Sequence, residues 1–185
     1  MKKIIITLLM PLVMLCCSAQ NAPQPNTFVS SNGKVHFFAS TAVEDIEATS
    51  NTGICELNTQ TKKISAKVAM TSFVFRRKKM QDDFNEDYAE STKFPYASLE
   101  AVIDNVNFSK DGTYDVILKG TFEMHGVKVD RVIKGKLIIK NGQPYSASAQ
   151  FDVKLVDHKI KVPTIVVVKI AEVVKVDVSF VFRKL

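Results

Sequence analysis

Alternation of apolar and polar residues runs through most of this chain, and it restricts the fold to one built mainly from β-strands. Residues 127–140 show it most clearly, because most of their aliphatic side chains fall on one face and four lysines fall on the other. Successive side chains of a strand point to opposite faces of a sheet, so the pattern is typical of a strand with one buried face. Similar runs lie at 35–40, 64–70, 99–103, 114–124, 145–155 and 174–182. We therefore predict an all-β fold.

Short turn motifs separate these runs and indicate how the strands connect. Five dipeptides supply the glycine that tight turns favour, namely Asn32-Gly33, Thr52-Gly53, Asp111-Gly112, His125-Gly126 and Asn141-Gly142. Antiparallel strands joined in this way form a sandwich or a closed barrel. A run of fourteen residues spans about 46 Å at roughly 3.3 Å per residue. That length favours an extended antiparallel barrel of about eight strands.

One segment departs from the alternation and predicts a helix. Residues 75–101 are dense in charge, and Met80, Phe84 and Tyr88 recur every four residues. This spacing places the three side chains on one helical face. We predict an amphipathic helix at about 78–93, ended by Pro95, whose apolar face covers an open end of the barrel.

Before that helix, the apolar residues shift from even-numbered to odd-numbered positions. Apolar residues occupy even positions in 64–70, whereas Phe73 and Phe75 occupy odd positions. A β-bulge near Thr71 and Ser72 would turn both sets toward the interior.

The first residues resemble an export signal and are set apart from the fold. A basic start, an apolar stretch at 4–15 and small residues before Gln20 predict a signal peptide at 1–19, cleaved near Ala19. A flexible leader is expected at 20–27 and the barrel domain at 28–185, in the periplasm or outside the cell. Lipidation of Cys16 or Cys17 is the alternative, although the small residue that usually precedes a lipidated cysteine is missing.

Cleavage would leave Cys55 as the single cysteine of the mature chain. A lone cysteine forms no internal disulfide, and we expect a half-buried, unreactive strand residue.

The charge of the chain excludes some partners. The formal net charge is +6 and becomes +4 when Lys2 and Lys3 are removed. A surplus of this size, without a concentrated basic patch, does not indicate a nucleic-acid partner. Transient contact with a membrane surface and a homodimer remain open.

The predicted barrel interior is the candidate site. Alternation and the helical stripe turn fourteen residues toward it, namely Phe37, Met70, Phe73, Phe75, Met80, Phe84, Tyr88, Leu99, Leu118, Phe122, Met124, Phe151, Val178 and Phe180. A barrel of this size is either filled by its own side chains or holds one ligand, and the pattern leaves both open. Four basic residues beside the helix either contact a ligand headgroup or balance the acidic helix face, namely Arg76, Arg77, Lys78 and Lys79.

Catalysis is not predicted, and no catalytic residue is assigned. The three histidines, His36, His125 and His158, lack the spacing of a metal site, so no metal is expected. Nucleophile elbows, phosphate loops and dinucleotide fingerprints are absent from the sequence.

The helical segment and the late strands resemble one known family. The stretch FVFRRKKMQDDFNEDYAESTKFPYASLEAVI is similar to the signature of the YceI-like, polyisoprenoid-binding family, which it matches at Met80, Gln81, Phe84, Asn85, Glu86, Tyr88, Glu90, Ser91, Lys93 and Pro95. KGTFEMHGVKV, FDVKLVDHKIKVP and KIAEVVKVDVSF resemble its later hairpin and closing strands. The basic run at 76–79, His158-Lys159-Ile160 and the lack of tryptophan depart from the family pattern.

The resemblance implies a lipocalin-like barrel, exported, that holds a polyisoprenoid or another long amphiphile. It implies no cofactor besides that bound lipid, and it carries over no catalytic residue. Two alternatives stay open: an enzyme acting on a lipid in the same cavity, and a ligand-free surface interaction module.

Overall fold

The computed structural model of the protein describes residues 26–40, 44–161 and 172–185. The predicted signal peptide and most of the predicted leader lie outside the described residues. Thr27, which the sequence placed in the leader, is buried as the first residue of a strand.

Ten strands lie within the described residues. They are β1 (Thr27–Ser40), β2 (Asp45–Asn58), β3 (Lys63–Ala69), β4 (Val74–Phe75), β5 (Tyr96–Asp104), β6 (Gly112–Met124), β7 (Val127–Lys140), β8 (Gln143–Lys154), β9 (Val173–Val181) and β10 (Arg183–Lys184). Eight of them close an antiparallel barrel in the order β1-β9-β8-β7-β6-β5-β3-β2, with β2 paired back to β1. The predicted all-β barrel of about eight strands is confirmed.

The two ends of the barrel differ. At one end, which we call the closed end, Leu57, Ile103, Leu137 and Ile139 are at most 1% exposed. The short strand β10 pairs with the start of β1 at this same end. The opposite end, which we call the helix end, carries the helical segment that follows β4.

That helical segment is shorter than predicted. It consists of an α-helix, α1 (Lys78–Asp83), and one π-helical turn, Phe84–Tyr88. The amide of Ala89 donates to the carbonyl oxygen of Phe84 at 2.8 Å, and Glu90 then adopts a φ of 43°. A left-handed residue ends a helix, so the predicted continuation to 93 and termination by Pro95 were wrong. We call Lys78 to Tyr88 the lid segment.

Before the lid segment, the inward-facing positions change from even to odd numbers. This change does not occur through the predicted β-bulge. A single 3-10 turn, Met70–Ser72, follows β3, and the hydroxyl of Ser72 donates to the carbonyl oxygen of Ala69 at 2.6 Å. β4 then pairs with β2 through Ala48 and Phe75. Ile64, Val68, Met70, Phe73 and Phe75 are buried and Ala66 is half-buried, as expected from parity.

The glycine motifs divide into two groups. His125-Gly126 and Asn141-Gly142 form the turns between β6 and β7 and between β7 and β8, with positive φ at all four residues. Asp111-Gly112 lies where β6 begins, and Asp111 accepts hydrogen bonds from the turn amides of Asn141 and Gly142 at 2.8 Å.

The other two glycine motifs lie within strands, so the predicted turns there were wrong. Gly33 faces Gly53 across β1 and β2, where the register shifts. A Cβ atom on Gly33 would lie 2.2 Å from Cδ1 of Phe180. These glycines make room for an aromatic ring of β9.

Candidate functional site

An apolar cavity of about 550 Å³ lies inside the barrel. It extends from the lid segment toward Ile103 and Leu137, and all eight strands of the barrel contribute to its wall. Small-molecule sites typically occupy 300–1,000 Å³ and are lined mainly by apolar side chains. The interior is therefore large enough for a ligand rather than filled by its own side chains.

All fourteen apolar residues that the sequence turned inward border this cavity, namely Phe37, Met70, Phe73, Phe75, Met80, Phe84, Tyr88, Leu99, Leu118, Phe122, Met124, Phe151, Val178 and Phe180. Their contact with a ligand stays a prediction.

Small residues on paired strands open the space. Ala149 of β8 stands opposite Gly135 of β7, and Ala147 stands opposite Leu137. On the other side of the barrel, Ala66 of β3 pairs with Leu99 of β5. The three alanines border the cavity, and longer side chains there would occupy part of its volume.

Phe84 docks the lid segment onto the barrel. Its ring centroid lies 5.5 Å from that of Phe37, 6.0 Å from that of Phe73 and 4.9 Å from that of Phe75. Aromatic pairs at these separations contribute roughly 0.5–1.5 kcal/mol each beyond area burial. The cluster covers one side of the cavity at the helix end.

Tyr88 completes the apolar stripe of the lid segment. Its burial, aided by the carboxylates of Asp83 and Asp87, raises the pKa of its hydroxyl. Since that pKa is ordinarily near 10, the hydroxyl is neutral at physiological pH. Met80, the first residue of the stripe, also borders the cavity and is half-buried.

The chain after the lid segment is tied to the turn between β6 and β7. Nε2 of His125 lies 2.6 Å from Oε2 of Glu90, and Nδ1 lies 3.1 Å from the carbonyl oxygen of His158. The ring of Phe94 lies 4.3 Å from that of His125. Lys93 approaches the other carboxylate oxygen of Glu90 at 3.8 Å. These contacts anchor the trailing end of the lid segment to the barrel.

Strands β7 and β8 separate at the helix end. Their paired register runs from Gly135 with Ala149 to Lys140 with Gln143. Beyond it, the guanidinium of Arg131 donates to the carbonyl oxygen of Asp152 and lies 3.8 Å from the carboxylate of Asp157. Side chains therefore join the two strands where backbone pairing stops.

His158 is the last residue of the 3-10 turn Leu155–His158 and closes the same region of the barrel. It is fully buried, and Nδ1 lies 3.2 Å from the carbonyl oxygens of both Met124 and Val127. Because carbonyls only accept, Nδ1 carries the proton. Burial lowers the pKa of the imidazole despite these two hydrogen bonds. The ring stands edge-on to Phe122 at 5.2 Å.

None of the four basic residues proposed as headgroup contacts borders the cavity. Arg76 is exposed, and Arg77 forms an ion pair with Glu44. Lys78 lies 2.8 Å from Asp82, and Lys79 lies 2.9 Å from Asp83.

Two carboxylates at the helix end border the cavity, and sequence reasoning missed them. Asp83 immediately precedes Phe84 in the lid segment, a position that could have marked it. Glu44 lies just before β2, and no local sequence signal places it near the interior.

Cys55 is more deeply buried than predicted. It has no exposed surface, it borders the cavity, and it forms no disulfide. Burial, with a smaller contribution from Glu56, raises the pKa of its thiol to about 12. The thiol is therefore protonated and a poor nucleophile at neutral pH.

Across 26–40, 44–161 and 172–185, no cluster of three histidine, cysteine, aspartate or glutamate side chains is arranged to hold a metal ion. No helix within those ranges has the length and apolar character needed to cross a membrane.

The closed antiparallel barrel, its apolar cavity and the helical cover define a cavity-containing β-barrel protein. The profile of the YceI-like domain family matches residues 26–182. This chain belongs to the YceI-like domain family.

Solved structures of the same architecture come from several bacteria. A polyisoprenoid-binding domain of Saccharophagus degradans, implicated in plant cell wall breakdown, superimposes with a TM-score of 0.68 at 12% identity over 86% of this chain and 99% of that one. BcnA of Burkholderia cenocepacia gives 0.62 at 12% identity over 80% and 95%. The YCEI protein of Campylobacter jejuni gives 0.54 at 14% identity over 79% and 84%. Identities this low establish the shared fold alone. No curated protein matches the sequence.

Proposed function

We propose that this chain is an exported binding protein that holds a polyisoprenoid, or a similarly long apolar lipid, inside the barrel. The observation that carries the proposal is the apolar cavity of about 550 Å³, covered at one end by Met80, Phe84 and Tyr88. The polyisoprenoid-binding description of the Saccharophagus degradans relative supports the same ligand class.

Binding of an apolar chain in such a site requires few directional interactions such as hydrogen bonds. Burying one methylene group contributes roughly 0.8 kcal/mol, so ten buried carbons contribute about 8 kcal/mol. Association and ordering of the chain offset part of this gain. A longer chain still reaches micromolar affinity, which corresponds to about 8 kcal/mol.

Export is the second part of the proposal. It is supported by the predicted signal peptide at 1–19. The test is intact-mass measurement of protein recovered from the native host: a mature chain beginning near Gln20 is expected. A diacylated cysteine at position 16 or 17 would indicate the lipoprotein alternative, and an uncleaved chain would contradict export.

Ligand binding is tested by native mass spectrometry of protein purified without detergent, followed by titration with a fluorescent polyprenyl analogue. We expect a co-purified apolar molecule or saturable, one-to-one uptake of the analogue. A well-folded barrel that takes up neither would contradict the proposal.

A matched pair of variants separates uptake inside the barrel from surface adsorption. Ala149→Phe places a ring in the cavity and is expected to weaken binding by about tenfold or more while the barrel stays folded. Val132→Phe adds the same ring on β7, where the side chain is 70% exposed, and is expected to bind like the wild type. Equal losses in both variants would show that the analogue does not enter the cavity.

A further inference from the structure

His125 occupies the turn between β6 and β7, and both nitrogens of its ring face hydrogen-bond acceptors. Nε2 lies 2.6 Å from Oε2 of Glu90, and Nδ1 lies 3.1 Å from the carbonyl oxygen of His158. A carbonyl oxygen and an ionised carboxylate accept hydrogen bonds and do not donate them. A neutral imidazole carries a single N–H, so it satisfies only one of these two acceptors. With an ionised Glu90, the full set of contacts therefore requires a proton on each nitrogen of His125.

The surroundings of Glu90 are those of an ionised carboxylate. Its side chain is 40% exposed, whereas that of His125 is 11% exposed. Nζ of Lys93 lies 3.8 Å from Oε1 of Glu90, the oxygen that His125 does not contact. A glutamate that both water and a lysine reach is ionised at neutral pH. The contact is therefore an ion pair between the imidazolium of His125 and the carboxylate of Glu90.

Other charged side chains close in sequence to His125 and His158 are paired with one another. Lys128 of β7 lies 3.7 Å from Glu123 of β6, and Arg131 of β7 lies 3.8 Å from Asp157 of the 3-10 turn. The buried ring of His158 is neutral at neutral pH, because burial lowers the pKa of its imidazole. Unlike the two ion pairs, the contact of His125 involves a type of side chain that changes charge near neutral pH.

The contact holds the chain where the lid segment ends. Tyr88 is the last residue of the lid segment, and Ala89, which follows it, is buried and borders the cavity. Glu90 comes next and has a φ of 43°, a left-handed conformation that residues other than glycine rarely adopt without compensating contacts. The bond to His125 attaches this strained residue to the turn between β6 and β7. Loss of the bond would free the trailing end of the lid segment.

We propose that His125 is a positioning residue for the lid segment, and that it holds the cover closed over a bound lipid only when its ring carries both protons. The inference rests on the proposed function and adds a proton to it, because closure takes up a proton wherever the free imidazole is neutral. By linkage, each further unit of pH then weakens closure by up to about tenfold. Release of the ligand is therefore expected to accelerate as the pH rises.

The test measures release at different pH values. Protein loaded with an uncharged pyrene ester of geranylgeraniol is mixed with phosphatidylcholine vesicles in a stopped-flow instrument between pH 7 and pH 9. His158 stays neutral over this range, because its pKa lies below the ordinary value of 6.5. We expect release from the wild type to be about threefold or more faster at pH 9 than at pH 7.

Glu90→Gln distinguishes a proton-dependent contact from a merely structural one. The amide of the new side chain donates to Nε2 of a neutral His125, while Nδ1 still donates to the carbonyl oxygen of His158. This variant is therefore expected to release the ester as slowly at pH 9 as at pH 7. Glu86→Gln is the matched control, because it makes the same change at an exposed position of the lid segment. It is expected to keep the wild-type pH profile.

Nuclear magnetic resonance provides a second, direct measurement. Long-range correlation of ring protons with ring nitrogens shows which nitrogens of an imidazole carry a proton. The signals of His125 are identified by their absence from His125→Asn, since asparagine tolerates the φ of 52° at this turn. We expect protons on both nitrogens of His125 in the loaded wild type at pH 7, and on Nδ1 alone in Glu90→Gln.

The outcomes separate this inference from the function beneath it. Uptake of the ester with equal release rates at pH 7 and pH 9 would overturn the proton-dependent cover and leave lipid binding intact. A nitrogen of His125 without a proton in the loaded wild type at pH 7 would do the same. A pH dependence that persists in Glu90→Gln would overturn the assignment to this pair. Failure to take up the ester would overturn the proposed function, and this inference with it.

Discussion

The ring of Phe84 lies 4.9 Å from the ring of Phe75, centroid to centroid, at an interplanar angle of 47°. Phe84 belongs to the lid segment, whereas Phe75 belongs to β4, which pairs with β2 of the barrel. The contact thus joins the cover of the cavity to its wall through side chains. A cover held in this way can be loosened without disturbing the hydrogen-bonded barrel.

Phe84→Ala is expected to loosen the lid segment. The change removes three aromatic contacts and should lower the free energy of unfolding by about 1–3 kcal/mol, because the ring is half-buried. Dissociation of a bound polyprenyl analogue should become faster. Urea unfolding and stopped-flow release measure the two effects, with Glu86→Ala on the exposed face as control. Unchanged release in a folded Phe84→Ala protein would show that this ring does not retain the ligand.

Gly33→Ala is expected to be more destabilising than Gly142→Ala. A Cβ atom at Gly33 would collide with Phe180, whereas one at Gly142 meets nothing within 4 Å and suffers only the strain of a φ of 67°. We expect a loss above about 2 kcal/mol for the first and about 1–2 kcal/mol for the second. Thermal or urea unfolding measures the loss of stability in each variant. Partial rescue of Gly33→Ala by Phe180→Leu would trace the cost to this collision, and the absence of rescue would contradict it.

Stability is expected to fall as the pH drops below about 6.5. Burial lowers the pKa of His158 from its ordinary value of 6.5, so the unfolded chain takes up the proton first. The contribution of neutral His158 is fully present above pH 6.5 and is lost as the pH falls toward its folded-state pKa. Urea unfolding between pH 8 and pH 5 measures the slope. His158→Gln should reduce it, and an unchanged slope in that variant would rule out His158 as the source.

Cys55 is expected to resist modification in the folded protein. Its thiol is fully buried and has a pKa near 12, so an aromatic disulfide reagent at pH 8 should react only after unfolding. Mature protein should then show no reactive thiol under native conditions and one in denaturant. Rapid native labelling would mean that the cavity wall opens readily at β2. Slower labelling in partial denaturant with a bound lipid would show that the lipid stabilises the folded barrel.

Local parity explains why the inward residues could be predicted. Whether a strand residue such as Phe122 or Phe151 faces the interior depends only on alternation with its neighbours, and both border the cavity. The spacing of Met80, Phe84 and Tyr88 likewise identified the buried face of the lid segment. Periodicity is a property of neighbouring residues, so it can be recognised in the sequence before the fold is known.

Long-range contacts explain what was missed. The end of the lid segment is fixed by the contact of Glu90 with His125, 35 residues further along the chain. Gly33 was mistaken for a turn residue because the reason for its small size is Phe180, far away in the chain. Glu44 borders the cavity only because β1 and β2 close the barrel beside the lid segment.

The closed end has a consequence for any elongated molecule inside the barrel. Because Ile103 and Leu137 border the cavity at that end, a chain that enters beneath Phe84 would advance until it meets them. Carbons beyond the depth of the cavity then remain near the lid segment, in contact with solvent. In a cavity that is closed at one end, added carbons increase the affinity of a ligand only until its tail reaches the closed end.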